Sequence, residues 1–202
     1  MKIATFSSKQ FSKAIATGLT LAAAIAALYS VSLSSAQAQI SNGRYEVRSN
    51  GQIFFYPANG TNPVVVYNGN GRAVAITQYK DAVYTAFDRP GYIYRSPDGQ
   101  NLGGGGRTEI VYKGSGTVNV MMVCQNAIFT AFRGGRIYRS PDGRDLGGGR
   151  NTGLVYGGSV EVNRMQCVNG NVVTSFVNGG VYQSPDGNNL GGGGRTIKLS
   201  GN

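Results

Sequence analysis

The sequence contains no histidine. A structural metal site of the Cys/His kind and any catalysis by an imidazole are therefore excluded. The chain also lacks the Gly-x-Ser-x-Gly motif of a serine nucleophile, and its glycine tracts do not end in the Lys-Ser/Thr of a phosphate-binding loop. We predict a protein that is not an enzyme, holds no metal or cofactor, and binds neither nucleotides nor nucleic acids.

Acidic residues are scarce, since 9 Asp and Glu stand against 19 Lys and Arg and the net charge is +10. Loss of the N-terminal Lys2, Lys9 and Lys13 would lower that charge from +10 to +7. An excess of arginine suggests an anionic partner, which is in general an acidic polysaccharide, a membrane surface or a nucleic acid; of these we favour the polysaccharide over the nucleic acid. Charge alone does not separate such a partner from plain solubility.

Only one long apolar run occurs, from Ala14 to Val31. It follows three lysines and precedes the small-x-small triplet Ala36-Gln37-Ala38, which is the pattern of a cleaved secretory signal. We predict a signal peptide at 1–38 and a secreted or periplasmic chain that begins at Gln39 and has no membrane span. The alternative is an uncleaved anchor, because a span needs roughly 20 apolar residues.

Cysteine is also scarce, with only Cys124 and Cys167 in the chain. Alignment of the repeats described below places Cys124 opposite Val168 and Cys167 opposite Val123, so the two lie one residue apart in neighbouring units. In an oxidising compartment such a pair can bridge the units. We predict a disulfide; two buried thiols are the alternative.

One phrase occurs three times, at intervals of 44 residues, beginning at Ser96, Ser140 and Ser184. It reads Ser-Pro-Asp-Gly-x-x-Leu and continues into a glycine tract. A fixed period of this length is the signature of a repeat architecture. The Ser, Asp and Gly of each copy are typical of a tight turn closed by side-chain-to-backbone hydrogen bonds. We predict a structural role for Ser96, Asp98, Gly99, Ser140, Asp142, Gly143, Ser184, Asp186 and Gly187.

Four short stretches rich in Val, Ile, Phe, Tyr and Thr recur in each unit, with Gly, Asn, Asp or Pro between them. This pattern predicts strands and an all-β fold. The first unit is degenerate: Ile53 to Gly60 stands where the phrase is expected, and Ser41 to Gly60 aligns without a gap on Val168 to Gly187. The chain therefore opens partway through a unit.

The strand count is fifteen, one fewer than four blades of four strands require. We predict a single β-propeller domain at 39–202 with about four blades, repeat units at about 41–90, 91–135, 136–180 and 181–202, and ring closure by the N-terminal strands. The missing strand comes from Leu33 to Ile40, or one blade has three strands, or another chain completes it and forms an oligomer. A β-trefoil, with three units of four strands, is the alternative fold.

The repeated phrase resembles a shortened Asp-box, the Ser-x-Asp-x-Gly-x-Thr-Trp turn of sialidase-like β-propellers, with leucine in the place of the aromatic residue. The resemblance implies that the turn joins the third and fourth strands of a blade. It also implies that the three aspartates accept hydrogen bonds from turn amides, that the serines support them, and that Leu102, Leu146 and Leu190 plug the space between sheets. The whole unit is loosely similar to the blades of tachylectin-type propeller lectins.

Recurrent glycine tracts suggest that the backbone approaches something closely, either a neighbouring blade or a ligand. Each tract ends in an arginine near a threonine, and each phrase follows a tyrosine. Because arginine, threonine and tyrosine are suited to hydrogen bonding and stacking on sugars, we predict ligand contacts from Arg107, Thr108, Arg150, Thr152, Arg195, Thr196, Tyr94, Tyr138 and Tyr182. The alternative is that the tyrosines are core and the arginines cap turns.

Repetition of a surface feature favours recognition of a repetitive target, because several weak sites together gain avidity. We therefore predict a secreted, multivalent, lectin-like protein that binds glycans or other acidic extracellular polymers. The alternatives are a non-catalytic protein-interaction scaffold and a glycoside hydrolase of sialidase-like architecture. Paired carboxylates about 5 to 9 Å apart would be needed for hydrolysis, and no spacing in the sequence supports such a pair.

Overall fold

The computed structural model describes residues 37–40 and 43–201. These residues form sixteen strands and no helix. In chain order the strands are β1 (Gln37–Ile40), β2 (Gly43–Val47), β3 (Ile53–Pro57), β4 (Val64–Tyr67), β5 (Ala73–Tyr79), β6 (Ala82–Phe87), β7 (Tyr92–Ser96), β8 (Glu109–Lys113), β9 (Val118–Cys124), β10 (Ala127–Phe132), β11 (Ile137–Ser140), β12 (Gly153–Tyr156), β13 (Val162–Val168), β14 (Asn171–Phe176), β15 (Val181–Ser184) and β16 (Ile197–Ser200).

The strands form four antiparallel sheets, each built from four consecutive strands. This is the arrangement of a four-bladed β-propeller, so the predicted fold class is confirmed, and the β-trefoil alternative is wrong because the described residues form four sheets instead of three units. We number the sheets as blades 1 to 4 in chain order. The first strands of successive blades contact one another, β1 with β5, β5 with β9, and β9 with β13.

The sixteenth strand is β1, at the end of the stretch from Leu33 to Ile40 that was one of its three predicted sources. All four blades therefore have four strands, and neither a three-stranded blade nor completion by a second chain is needed. Blade 1 and blade 4 are each made of consecutive strands, so no sheet of the described residues combines N-terminal with C-terminal strands. Closure of the ring by the N-terminal strands stays a prediction. The predicted signal peptide lies outside the described residues, apart from Gln37 and Ala38. These two residues are half of β1, so cleavage before Gln39 shortens that strand to two residues.

The blades are phased differently from the predicted repeat units, because each unit boundary falls inside a sheet. The gapless alignment of the first unit is also one residue out of register. Val47 pairs with Ile53 in blade 1, and Ser175 pairs with Val181 in blade 4, so Ile53 corresponds to Val181 and not to Gly180. Asn42-Gly43 coincides with Asn169-Gly170 in the gapless alignment, whereas Asn50-Gly51 coincides with Asn178-Gly179 in the alignment that strand pairing sets.

The core lies in the seams between consecutive blades. The six residues of β6 are all buried, and so are the six of β10, because a neighbouring blade covers each face of these strands. One cluster joins blades 1 and 2, a second joins blades 2 and 3, and a third joins blades 3 and 4. Each blade also has a register shift between its third and fourth strands at the same place, after Ile53, Ile93, Ile137 and Val181.

The connections of a blade lie at two ends. The end that carries the repeated phrase, between the third and fourth strands, we call the turn end. The opposite end carries the loops between the second and third strands, such as 88–91 and 133–136, and we call it the hairpin end. Antiparallel pairing fixes this division, because successive connections alternate between the ends of a sheet.

Candidate functional site

The repeated phrase forms the same hydrogen-bonded turn in blades 2, 3 and 4. In blade 3, the Asp142 carboxylate accepts hydrogen bonds from the Arg144 N–H at 3.0 Å and the Ser140 hydroxyl at 3.1 Å. The Gly143 N–H donates to the Ser140 hydroxyl oxygen at 3.2 Å. The equivalent aspartates of the other two blades accept the same pair of bonds. Asp98 accepts from the Gln100 N–H and the Ser96 hydroxyl, both at 3.0 Å, and Asp186 accepts from the Asn188 N–H at 3.0 Å and the Ser184 hydroxyl at 3.1 Å.

These bonds favour the ionised form of each aspartate. The hydrogen bond from the backbone N–H two residues further along is the main reason that the pKa values of Asp98, Asp142 and Asp186 lie below the usual value. For Asp142 the side-chain amide of Asn151 contributes a further bond, at 3.3 Å. The three carboxylates therefore accept hydrogen bonds that close their turns, which is the role that the sequence predicts for them.

The glycine after each aspartate contacts the preceding blade. Gly143 has a φ of 70°, and a Cβ there would lie 3.0 Å from the Tyr84 ring and closer still to its hydroxyl. In blade 2 the Tyr45 hydroxyl donates to the Gly99 carbonyl at 3.0 Å. Both the backbone conformation and the close approach require glycine at this position.

The leucine that ends each phrase is a buried plug between blades. Leu102, Leu146 and Leu190 are at most 1% exposed. The Leu146 N–H donates to the Val111 carbonyl on the outer strand of blade 2. The phrase therefore ties its own blade to the one before it, by a buried side chain and by a backbone hydrogen bond.

The first two residues of each glycine tract lie between two tyrosine rings. In blade 3, a Cβ at Gly147 would overlap the ring of Tyr112, which belongs to the outer strand of blade 2, and a Cβ at Gly148 would lie 3.3 Å from the ring of Tyr138. The same arrangement recurs with Tyr67 and Tyr94 in blade 2 and with Tyr156 and Tyr182 in blade 4. A tyrosine of the neighbouring blade therefore accounts for the first glycine of each tract, and a tyrosine of the same blade lies against the second. In contrast, Gly105 and Gly193, further along, have nothing near the position of a Cβ.

The three tyrosines predicted to contact a ligand are half-buried members of aromatic triplets. Phe132 makes an edge-on contact with Tyr138, with ring centroids 5.8 Å apart, and a tilted contact with Tyr112 at 4.9 Å. The triplets of the other seams are Tyr67, Phe87 and Tyr94, and Tyr156, Phe176 and Tyr182. Because these rings pack against aromatic neighbours and glycine backbone, Tyr94, Tyr138 and Tyr182 hold the seams together.

The three predicted threonines close the glycine loops. The hydroxyls of Thr108, Thr152 and Thr196 donate to the carbonyls of Asn101, Asp145 and Asn189, seven residues earlier in each case. The loops therefore have equal lengths. Arg107 and Arg195 precede their threonines directly, whereas Arg150 stands one residue earlier, and Asn151 fills the position of the other two arginines.

Arg107, Arg150 and Arg195 are exposed. Among the residues that the structure describes, their guanidinium groups form no hydrogen bond or ion pair. Each stands two or three residues before the fourth strand of its blade begins, so all three lie at the turn end. Of the side chains predicted to contact a ligand, these arginines are the ones that are exposed.

Cys124 and Cys167 form a disulfide between β9 and β13, with 2.06 Å between the sulfurs and 5.4 Å between the Cα atoms. It links the innermost strands of blades 3 and 4. Within residues 37–40 and 43–201, no three His, Cys, Asp or Glu side chains group closely enough to hold a metal ion. Nor does this part of the chain contain a helix long and apolar enough to span a membrane.

The structure also contains a polar cleft between blades 2 and 3 that sequence reasoning missed. Lys80, Arg95, Glu109 and Arg144 are among its lining residues. The signal that identifies it is a departure from the repeat, because several of these charged residues have no charged counterpart in the other blades.

No protein-family model and no curated protein matches this chain. Among solved structures, the computationally designed protein Ika8 aligns with a TM-score of 0.50 at 10% identity, over 74% of this chain and 46% of that one. A structure from a study of two prolyl endopeptidases aligns with a TM-score of 0.51 at 11% identity, over 83% of this chain and 28% of that one. This chain thus spans less than half the length of either, and at these identities the likeness shows a propeller-like fold alone.

Proposed function

We propose that this protein is a secreted, multivalent binding protein that recognises acidic extracellular polymers, in the manner of a lectin, through the glycine loops of blades 2 to 4. The observation that carries the proposal is the set of three exposed, unpaired arginines at the turn end of successive blades. Two of them occupy the same loop position and the third stands one residue away. We also propose that the protein is not an enzyme, because its three repeated aspartates are engaged in turn closure.

The loops suit a polymer because each arginine is an independent, weak contact. An exposed charge pair contributes about 0.2–1 kcal/mol, so one loop alone binds poorly. Three loops on one rigid scaffold make later contacts intramolecular and raise the avidity without any new kind of contact. Guanidinium groups pair with carboxylates and sulfates through two parallel hydrogen bonds, which suits an anionic polysaccharide.

The turn geometry also supports the resemblance to Asp-box propellers. The aspartate accepts hydrogen bonds from a turn N–H and from the serine hydroxyl, and the leucine fills the space between sheets, as the resemblance implies. That resemblance describes the structure of the turns and does not identify a ligand; in this proposal the ligand contacts come from the glycine loops. The half-buried tyrosines favour recognition by charge and hydrogen bonds over stacking on sugar faces.

The test is binding of the purified chain to immobilised dextran sulfate and to neutral dextran. We expect binding to dextran sulfate to weaken steeply as salt rises from about 0.05 M to about 0.2 M, because the screening length shortens over this range and is about 10 Å at 0.1 M and about 8 Å at 0.15 M. Neutral dextran should bind weakly and show little dependence on salt. Equal binding to the two polymers, or binding to dextran sulfate that salt leaves unchanged, would contradict the proposal.

A second candidate function, a protein-interaction scaffold, is favoured by aliphatic side chains on the outer strands. Val65, Ile110 and Leu154 are 44%, 50% and 53% exposed at equivalent positions of three blades. Exposed aliphatic groups along an edge strand are a usual site of protein contact. For this function, Ile110→Lys with Leu154→Lys should abolish capture of a protein partner, while replacement of the loop arginines should leave it intact.

A further inference from the structure

The cleft between blades 2 and 3 lies at the turn end and has a volume of about 440 Å³. This volume is within the range of about 300–1,000 Å³ that small-molecule sites occupy. Arg95 and Glu109 form an ion pair at 3.6 Å between adjacent strands of blade 2, and Arg144 belongs to the turn of blade 3. Lys80 and Asp81 form the tip of the β5–β6 hairpin beside them.

The charged residues of this cleft depart from the repeat. Strand pairing places Lys80 at the position of Gln125 in blade 3, and Glu109 at the position of Gly153. The turns place Arg144 at the position of Asn188 in blade 4. A residue needed only to build a blade should recur in the other blades, whereas these three do not, and all three line one cleft.

The neighbouring seam shows that Lys80 is not required to join the blades. Between blades 3 and 4, the Gln125 amide donates to the carbonyls of Gly170 and Pro185, at 2.8 and 2.7 Å. Between blades 2 and 3, the Tyr79 hydroxyl lies 2.7 and 2.6 Å from the equivalent carbonyls, those of Asn126 and Pro141. Tyr79 takes over this bridging position, and the Lys80 ammonium lies over the Tyr79 ring, 4.8 Å from its centroid, with no ion-pair partner among the described residues.

The unpaired groups of the cleft define its ligand. Among the described residues, the side chains of Lys80, Asp81 and Arg144 form no hydrogen bond or ion pair. Two cations suit a carboxylate, while the carboxylates of Asp81 and Glu109 accept hydrogen bonds from hydroxyl groups. Tyr79 and Tyr84 are only 4% and 2% exposed, so they offer no face for a sugar to stack on.

We propose that this cleft binds a single carboxylated sugar, a uronic acid. Its carboxylate pairs with Lys80 and Arg144, and its ring hydroxyls donate to Asp81 and Glu109. A neutral sugar leaves both cations unused, and a polysulfated ligand brings anions against the three carboxylates that line the cleft, Asp81, Glu109 and Asp142. Within the part of the chain that the structure describes, this set of charged residues occurs once, and none of the three loop arginines lines the cleft. The proposal does not rest on the function proposed for those arginines.

The test is isothermal titration of the full chain with glucuronate and galacturonate. We expect at least one of them to bind with one site per chain, and Lys80→Gln with Arg144→Asn to weaken that binding at least ~10-fold, because two charge-assisted contacts are lost. Glutamine and asparagine stand at the equivalent positions of blades 3 and 4, so the double variant should melt as the parent does.

The control is the variant in which Arg107, Arg150 and Arg195 are all alanine, which should bind the same sugar as the parent chain does. The proposal is overturned by a parent chain that binds neither uronic acid, by unchanged affinity in the folded double variant, or by three sites per chain. Loss of sugar binding in the loop variant would assign the site to the loops and overturn the cleft. Loss of dextran sulfate binding in the loop variant bears only on the loops, so the two proposals can fail separately.

Discussion

The substitution Gly147→Ala tests whether the close approach of a tyrosine ring is what requires glycine at the first position of each tract. The backbone at Gly147 is in an ordinary conformation, unlike that at Gly148 and Gly149, so the change introduces no strain in φ. The added Cβ would overlap the ring of Tyr112 on the neighbouring blade. The cost is therefore the displacement of one tyrosine from an inter-blade seam.

The magnitude follows from what Tyr112 holds. Forcing an extra methyl group into a packed seam costs about 1–3 kcal/mol. If the ring moves away, its contact with Phe132 at 4.9 Å, about 0.5–1.5 kcal/mol, and the hydrogen bond that its hydroxyl accepts from the Gly116 N–H, about 0.5–1.5 kcal/mol, are weakened. Replacement of glycine by alanine also lowers the conformational entropy of the unfolded chain, which stabilises the folded protein by about 0.4–1 kcal/mol. We expect a net loss of about 2–4 kcal/mol in the free energy of unfolding.

The assay is urea unfolding, in which the midpoint shifts while the slope stays constant. Gly153→Ala is the matched control, because its backbone is equally ordinary and nothing lies within 4 Å of the added Cβ. It should leave stability unchanged or raise it slightly. A second control combines Gly147→Ala with Tyr112→Leu, in which the alanine should cost less than it does alone. If Gly147→Ala is as stable as Gly153→Ala, the close approach does not explain the tract.

Three further predictions concern the turn, the disulfide and the N-terminus. The hydrogen bond from the Arg144 backbone N–H lowers the pKa of Asp142 below the reference value of 3.8, so the stability that the carboxylate contributes is present above about pH 4 and is lost as the pH falls through the folded-state pKa. Asp142→Asn should therefore reduce the loss of melting temperature in acid, and an unchanged pH profile would count against this role. Alkylation of the unreduced, unfolded protein should label neither Cys124 nor Cys167, and reduction should lower stability by up to about 4 kcal/mol, the chain-entropy value for a separation of 43 residues; full labelling before reduction would refute the bond. Mass spectrometry of secreted protein should find a chain that begins at Gln39, and an intact Met1 would refute cleavage.

The architecture was predictable because it repeats. The 44-residue period, the short strands and the turn residues pointed to blades, and the deficit of one strand led to the stretch that contains β1. The phase of the blades was not predictable, because a periodic sequence reads the same from any starting point. The disulfide, in contrast, was predictable, because alignment of whole units places Cys124 and Cys167 near one another in neighbouring blades.

The site was predictable only in part. The glycines indicated a close approach, but the partner of Gly147 is Tyr112, 35 residues earlier on another blade, and no local pattern links the two. The threonine hydroxyls are used within their own loops, a role that the sequence does not distinguish from ligand binding. The cleft at Lys80 and Glu109 was not predictable from the repeat, because these residues are exceptions to it.

The loop arginines can be tested directly by affinity for dextran sulfate in two triple variants of equal charge. In one, Arg107, Arg150 and Arg195 become alanine; in the other, the exposed arginines of the hairpin end, Arg89, Arg133 and Arg136, become alanine. At about 0.2–1 kcal/mol for each contact, the loop variant should bind about 3- to 150-fold more weakly than the parent chain. The hairpin variant should lose far less, since it lowers the net charge equally but leaves the loops intact. Equal loss in the two folded variants would show that net charge alone attracts the polymer and would contradict the proposed role of the loops.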